Sequence, residues 1–333
     1  MGTGKNSIDW TEPEKRSEPA YMEATTLLNA SSDADALATG RIMDCEIALF
    51  GVPFDLGVTN RPGARFGPRA LRAIERVGPY NHIHRLNPFE RFRILDIGDT
   101  PFRSRYDIER GHADIEDFVR AVSAADCRPV AIGGDHSITL PILKALGRSQ
   151  PLGLIHIDAH CDTEGPIDGL KFHHGGPFRE AVLEGVLDPA RTIQIGIRGA
   201  AEPAWTFSYE CGMTVVHAEA LRRRGIADVV DQARRIVGDG PVYVSFDIDA
   251  LDPSVAPGTG TPEPGGLSAG DAIDLLTGLA GLDIVGGDVV EVAPMYDAND
   301  CTALVAAQIM FEIVCLVAMA PLQRAALSRQ TQG

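Results

Sequence analysis

The sequence predicts a three-layer α/β/α fold around a mostly parallel, open sheet of eight strands. From Cys45 onward, short apolar runs alternate with amphipathic stretches, which is typical of buried parallel strands joined by helices. No proline-rich or glycine-rich linker divides the chain after residue 40, and no internal repeat is visible. One layered domain is therefore the simplest interpretation.

Eight apolar runs have the length of strands, and helical stretches lie between most of them. We place these strands near residues 46–52, 93–97, 130–133, 153–158, 192–197, 213–216, 242–247 and 284–291. Ser137 after the third strand, and Ser268 three residues before Asp271, are typical of helix N-caps. We expect a polar N-terminal extension over 1–40, a single domain over 41–325 and a C-terminal tail over 326–333.

The composition argues against several classes of protein. With 30 Lys+Arg against 46 Asp+Glu, the formal net charge of −16 argues against a nucleic-acid partner. The six cysteines are scattered without a Cys-x-x-Cys pair, and no apolar signal segment precedes Arg16, so we expect a cytoplasmic protein with reduced thiols. The apolar stretch 301–320 contains Gln308 and Glu312, which favours a buried final helix over a membrane span.

Three short motifs place carboxylates and imidazoles at the ends of predicted strands. They are Gly133-Gly134-Asp135-His136-Ser137, Asp158-Ala159-His160-Cys161-Asp162 and Asp247-Ile248-Asp249. In an extended chain, alternation would put the two aspartates and the histidine of the second motif on one face. Because ligands bind at the carboxyl edge of an open parallel sheet, we expect the three motifs to converge there.

Six side chains in these motifs are candidate metal ligands: His136, Asp158, His160, Asp162, Asp247 and Asp249. Two divalent cations would balance their four carboxylates, which favours a binuclear centre that takes a cationic substrate. Oxygen ligands with some imidazole and no thiolate suit Mn²⁺, with Ni²⁺ or Co²⁺ as alternatives. Alternation directs Cys161 to the opposite face, so we interpret that side chain as packing rather than as a ligand.

The three motifs resemble the metal signatures of the ureohydrolase superfamily, which contains the arginases and agmatinases. The resemblance runs from about residue 45 to 319, and it is strongest to the agmatinase-like branch over residues 51–55, 61–68, 258–263 and 291–294. It implies an arginase-like fold and a single catalytic domain over 41–325. It also implies hydrolysis of a small cationic guanidino compound to urea and an amine, with agmatine as the best candidate.

The resemblance assigns a role to each candidate residue. His136 would complete one Mn²⁺ site and His160 with Asp249 the other, while the remaining three aspartates would be shared. Asp162 would also belong to the catalytic set, together with a proton-relay histidine and an acid that holds the guanidinium. The family pattern puts that acid at Glu291. The relay is placed at His174, although the adjacent His173 leaves the register open.

Arginases carry an asparagine where this chain has Glu164. An acid at that position would repel an α-carboxylate, so we expect a substrate with a neutral or cationic tail. The family also implies a homo-oligomer, a trimer or a hexamer, with a hetero-oligomer as the alternative.

Four other functions remain open on the sequence. The first is hydrolysis of another guanidino compound: an alkylguanidine, guanidine, a biguanide, guanidinobutyrate or guanidinopropionate. The second is a deacetylase-like hydrolase with one zinc ion, against which His136, Asp162 and Asp249 argue because that site does not need them. The third is a catalytically silent subunit of a hetero-oligomer, although such subunits usually lose ligands. The fourth is a guanidino-compound sensor that is not an enzyme.

Overall fold

Nine strands form one sheet in the computed structural model, which describes residues 25–75, 79–199 and 202–330. They are β1 (Ser31–Ser32), β2 (Ile47–Val52), β3 (Ile94–Asp99), β4 (Arg128–Gly133), β5 (Leu152–Ile157), β6 (Leu187–Ile197), β7 (Thr214–His217), β8 (Val242–Asp247) and β9 (Ile284–Val290). All neighbours pair in parallel, in the order β1-β3-β2-β4-β9-β8-β5-β6-β7. The parallel α/β/α prediction is confirmed.

Helices cover both faces of this sheet. They are α1 (Ala36–Thr39), α2 (Gly67–Arg72), α3 (Pro88–Arg91), α4 (Ile108–Ala124), α5 (Thr139–Gly147), α6 (Pro177–Leu183), α7 (Thr206–Cys211), α8 (Ala218–Arg224), α9 (Ile226–Val237), α10 (Ala269–Gly278) and α11 (Cys301–Gln330). Alternation along β4 shows the two layers, because Val130 and Ile132 face the core of α9 to α11 while Ala131 faces that of α4 and α5. Parallel strands buried on both faces explain the continuous apolar runs.

The predicted strand count of eight is wrong by one. The additional strand is β1, in which Ser31 and Ser32 pair with Leu95 and Asp96 of β3. Two exposed serines carry no hydrophobic pattern, so backbone pairing alone defines this strand. Nearby, Leu27 is fully buried and its N–H donates to Asp96 Oδ2 at 2.9 Å, so this part of the predicted extension contributes to the core.

The two predicted helix caps have different outcomes. Ser268 forms the expected capping box with Asp271 at the start of α10. The predicted cap at Ser137 is wrong, because Asp135 caps the short 3₁₀ helix His136–Ile138 and accepts a hydrogen bond from the Ser137 N–H. The cap at Asp135 starts this short helix only two residues after β4 ends, and so places His136 near the edge of the sheet.

The helix α11 contains the longest apolar segment, Cys301–Ala320. By length and composition this segment is long enough to cross a membrane, but 83% of its most apolar window is buried inside the protein. The acid that argued against a span, Glu312, accepts a hydrogen bond from Asn81 Nδ2 at 2.7 Å. The segment therefore packs as the core helix that the sequence predicts.

Four central strands position the three motifs. In the sheet order β4-β9-β8-β5, the strands end at Gly133, Val290, Asp247 and Ile157. Because all four are parallel, their carboxyl ends lie side by side at one edge, and the residues that follow them meet there.

Candidate metal centre

Four side chains form what we call the His136 group: His136, Asp158, Asp162 and Asp247. The Nδ1 atom of His136 lies 3.1 Å from Asp158 Oδ2, 2.9 Å from Asp162 Oδ2 and 3.2 Å from Asp247 Oδ2. This nitrogen is buried and has no hydrogen-bond partner among the described residues. An imidazole nitrogen that faces three carboxylates in this way matches the surroundings of a divalent cation.

The tautomer of His136 follows from the partners of its other nitrogen. Nε2 lies 2.8 Å from Ser245 Oγ, and that hydroxyl donates to Asp288 Oδ1 at 2.7 Å. Thr139 and Tyr243 donate to the other oxygen of Asp288 at 2.7 and 2.9 Å. Since the Ser245 proton is committed to Asp288, Ser245 Oγ accepts from His136 Nε2–H, and Nδ1 keeps its lone pair for a metal.

Three side chains form the His160 group: Asp158, His160 and Asp249. His160 Nδ1 lies 3.1 Å from Asp249 Oδ2 and 3.5 Å from Asp158 Oδ1. Thr261 donates its hydroxyl to Asp249 Oδ2 at 3.0 Å and so fixes that carboxylate. Asp158 belongs to both groups, so the two candidate cation positions are adjacent.

The donor set fits two divalent cations. Within each group the ligand atoms lie within 4.8 Å of one another. Burial and the neighbouring carboxylates of Asp249 and Asp158 raise the pKa of Asp247 well above its usual range, because the charged form lacks compensation. Buried carboxylates at this density require positive charge, which metal ions supply.

The second motif reaches the site by a different route from the predicted one. The prediction that Asp158, His160 and Asp162 continue an extended strand is wrong, because β5 ends at Ile157 and the chain then bends. The His160 N–H donates to Asp158 Oδ1 at 2.6 Å within the bend.

Two site residues have left-handed backbone: Asp162 has a φ of 50°, and Glu291 has a φ of 63°. Such left-handed backbone costs about 1–3 kcal/mol in residues other than glycine and often occurs at functional sites.

Sequence reasoning missed a buried histidine beside this centre. Gln194 Nε2 lies 3.0 Å from His156 Nδ1, and since an amide nitrogen only donates, Nδ1 accepts. His156 Nε2–H then donates to Asp158 Oδ2 at 2.7 Å. The period of two along the strand could have found His156, because it lies two residues before Asp158. Its partner Gln194 on β6 carries no comparable signal.

A cavity of about 130 Å³ opens beside the two ligand groups. Its walls are formed by Thr59, His160, Cys161, Asp162, Glu164, His174, Gly175, Ala204, Trp205, Asp247 and Thr261. Cys161 is buried and belongs to neither ligand group, but it forms part of this wall instead of packing only on the opposite side. Among the described residues that line the cavity, Glu164 contributes negative charge and none is lysine or arginine.

The structure separates the two adjacent histidines. His174 lines the cavity, whereas His173 Nε2 contacts the carbonyl of Gly165 at 3.1 Å and is not among the lining residues. His174 Nδ1 lies 3.0 Å from Glu291 Oε1, and its Nε2 faces Thr59, whose Oγ1 is 2.9 Å away. Burial lowers the pKa of His174, but the hydrogen bond and charge of Glu291 outweigh it and raise the pKa to about 9.

Glu291 lies immediately after β9 and is almost fully buried. Its Oε1 atom accepts from the backbone N–H of His136 at 2.9 Å as well as from His174. Glu291 therefore links His174 to the His136 group, although it is not among the residues that line the cavity. The structure thus brings together all nine candidate site residues from the sequence, with Glu291 behind the cavity wall.

Comparisons with known proteins agree on one family. The model of the arginase family matches residues 45–316. The chain is 49% identical to guanidinopropionase of Pseudomonas aeruginosa, covering 82% of this chain and 87% of that protein. It is 44% identical to the mitochondrial agmatinase of Gallus gallus, covering 82% and 81%.

Solved structures show the same relationship. The proclavaminate amidino hydrolase of Streptomyces clavuligerus is similar with a TM-score of 0.83 and 35% identity, covering 90% of this chain and 98% of that chain. The formiminoglutamase of Trypanosoma cruzi, solved with Mn²⁺, has a TM-score of 0.77 and 26% identity, covering 89% and 98%.

Proposed function

Because the chain belongs to the arginase family and is an amidinohydrolase of guanidino compounds, we propose that its substrate is agmatine, which it hydrolyses to putrescine and urea. The observation that carries this proposal is the charge of the cavity wall. Glu164 lines the cavity, and no described lining residue is a cation. A wall of this charge suits a substrate that is positive at both ends.

The tail of the substrate decides between agmatine and the guanidino acids. The ammonium of agmatine would be attracted by Glu164, whereas the carboxylate of a guanidino acid would be repelled. At 4 Å such a charge pair is worth about 1 kcal/mol in water and about 4 kcal/mol near a protein surface. The identity to a guanidinopropionase supports a second candidate, guanidinopropionate, which would need a cationic contact from outside the described lining residues.

The His136 group and the His160 group would hold two metal ions. Mn²⁺ is our first assignment, and Ni²⁺ or Co²⁺ also suit mixed imidazole and carboxylate ligands. When bound, such a pair of ions lowers the pKa of a water molecule and orients it for attack. Asp162 serves this chemistry as a ligand at the cavity wall, where its left-handed backbone aims its carboxylate at His136.

His174 is proposed to move the proton. Its Nδ1–H donates to Glu291, and because the pKa of His174 is raised to about 9, Nε2 also carries a proton at neutral pH, which it can give to the leaving amine and regain from water. The carboxylate of Glu291 stabilises this imidazolium, in agreement with the raised pKa of His174. The same negative charge would attract the guanidinium of the substrate, the role that the sequence assigns to Glu291.

Urea release from a substrate panel tests the proposal. The panel contains agmatine, arginine, guanidinobutyrate, guanidinopropionate, guanidine, dimethylguanidine and a biguanide, with protein loaded separately with Mn²⁺ and Ni²⁺. We expect agmatine with Mn²⁺ to be turned over fastest. Preference for another guanidine would overturn the agmatine assignment, and no urea from any substrate would favour the silent subunit.

The Glu164→Gln variant tests the tail contact separately. Removing the charge should raise the KM for agmatine about tenfold, the equivalent of roughly 1.4 kcal/mol, and should improve relative activity on guanidinobutyrate. Glu263→Gln is the matched control, since that acid lies near His160 but does not line the cavity. An unchanged ratio of the two activities would contradict the role of Glu164.

Assembly and compartment complete the proposal. We propose a homo-oligomer, a trimer or hexamer, with a hetero-oligomer as the alternative, and native mass measurement distinguishes them. The six cysteines are free thiols in the structure, which supports a reducing compartment such as the cytoplasm.

A further inference from the structure

Arg198 lies directly after β6 and beside the His160 group. Its guanidinium is partly buried, and within the described part of the chain it donates only to backbone carbonyls, with no carboxylate partner. The acceptors are the carbonyls of Gly196, Asp249, Ala250, Leu251, Glu263 and Pro264. A guanidinium used in this way fixes main chain rather than neutralising an acid.

Five of these six carbonyls belong to two segments that lie beside the His160 group. One segment is the turn of Asp249, whose carbonyl accepts from Arg198 Nη2 at 2.8 Å. The other returns from Thr261, whose hydroxyl donates to the Asp249 carboxylate. The backbone N–H of Arg198 also donates at 2.8 Å to Ala159, the residue before His160. Arg198 therefore joins the chain segments on both sides of this group.

The His136 group is fixed from another direction. Its histidine is held through Nε2 by Ser245, and Ser245 is held by Asp288 on β9. The guanidinium of Arg198 makes none of these contacts, since its acceptors lie in residues 196, 249–251 and 263–264. The Arg198 guanidinium thus supports Asp249 and not the His136 ring, and the link between the two groups on this side is the Asp249 N–H, which donates to Asp247 Oδ1 at 2.8 Å.

We propose that Arg198 is a positioning residue for one of the two cations only, the one held by the His160 group. This inference rests on the proposed two-cation function. Through its fork of donors, Arg198 fixes the main chain of Asp249 and so keeps that carboxylate at ligand distance from His160. Its positive charge alone would repel a metal ion, so any gain in affinity comes from the placement of the ligands.

Metal counting on the full chain tests this assignment. Metal-free wild-type protein, Arg198→Lys and Arg198→Met are titrated with Mn²⁺ by calorimetry, and bound metal is counted after dialysis against fixed free Mn²⁺. We expect one ion to bind with unchanged affinity and the second to bind about 10- to 100-fold more weakly, as is usual when a residue that supports a metal ligand is lost. Arg198→Lys should retain more of the second ion than Arg198→Met, because lysine still reaches some carbonyls.

A matched control keeps the test specific. Arg234 also donates to two carbonyls, those of Gly278 and Ala280, but it lies on α9 away from the centre. Arg234→Met should bind both ions like the wild type. Two ions at wild-type affinity in Arg198→Met, tighter binding, or equal weakening of both ions would each overturn the inference. Wild-type protein that binds fewer than two ions would instead overturn the two-cation function.

Discussion

Replacing Ser245 with alanine should weaken metal binding through the tautomer of His136. The Ser245 hydroxyl accepts from His136 Nε2–H at 2.8 Å and donates to Asp288 at 2.7 Å, and both contacts are completely buried. Without it, Nε2–H has no acceptor, and the proton favours Nδ1, which faces three carboxylates. A cation must then displace that proton. Leaving the buried Nε2–H without an acceptor costs about 1–3 kcal/mol, which corresponds to roughly 5- to 150-fold in Mn²⁺ affinity.

The assay is calorimetric titration of metal-free protein with Mn²⁺, combined with nitrogen-15 NMR of the histidine rings to report the tautomer. Thr139→Val is the matched control, since the Thr139 hydroxyl donates to the same Asp288 carboxylate, while the contact of Thr139 with His136 is a backbone hydrogen bond that valine keeps. The control should keep wild-type Mn²⁺ affinity. Equal weakening of Mn²⁺ binding in Ser245→Ala and Thr139→Val would mean that the effect arises from the loss of a donor to Asp288 and not from the tautomer of His136. Wild-type Mn²⁺ affinity in Ser245→Ala would refute the tautomer reasoning.

Two further predictions concern other histidines. His174→Asn should lower kcat by about 10²- to 10⁴-fold while the metal content stays at the wild-type value; a loss of metal would argue against a proton-transfer role. His112 is buried between Phe54 and Phe172, and burial lowers its pKa to about 3. As the pH is lowered, His112 therefore binds a proton in the unfolded chain before it does so in the folded protein. Stability should fall as the pH decreases from 6.5 to 3. Urea unfolding at pH 7 and 4.5 should show that His112→Phe loses less unfolding free energy between these two pH values than the wild type does. An equal loss in the two proteins would contradict this prediction.

The sheet and the grouping of the candidate ligands were predictable for a common reason. Residues that end buried parallel strands, such as His136 after β4 and Asp247 on β8, combine a strong apolar signal with an abrupt polar one. The fold follows from the same alternation of strands and helices. In contrast, β1 has two exposed serines and depends only on its pairing with β3, so no local pattern marks it.

The residues that support the centre were not predictable in the same way. Ser245 and Gln194 lie inside apolar strands, and their partners are on neighbouring strands, so their roles depend on register across the sheet. The left-handed backbone of Asp162 is likewise set by the fold around it, since aspartate has only a weak preference for that conformation. Likewise, only the path of the loop shows that His174 and not His173 lines the cavity.

The two-residue strand β1 has a consequence for the behaviour of the protein in concentrated solution. It occupies part of the outer edge of β3, where unpaired backbone N–H and C=O groups would otherwise face solvent. Open edges of this kind recruit strands from other molecules and start aggregation. A strand of only two serines closes the edge while offering a very short edge of its own. The segment just before the ligand-bearing part of the chain thereby protects the sheet against the growth of intermolecular β-structure.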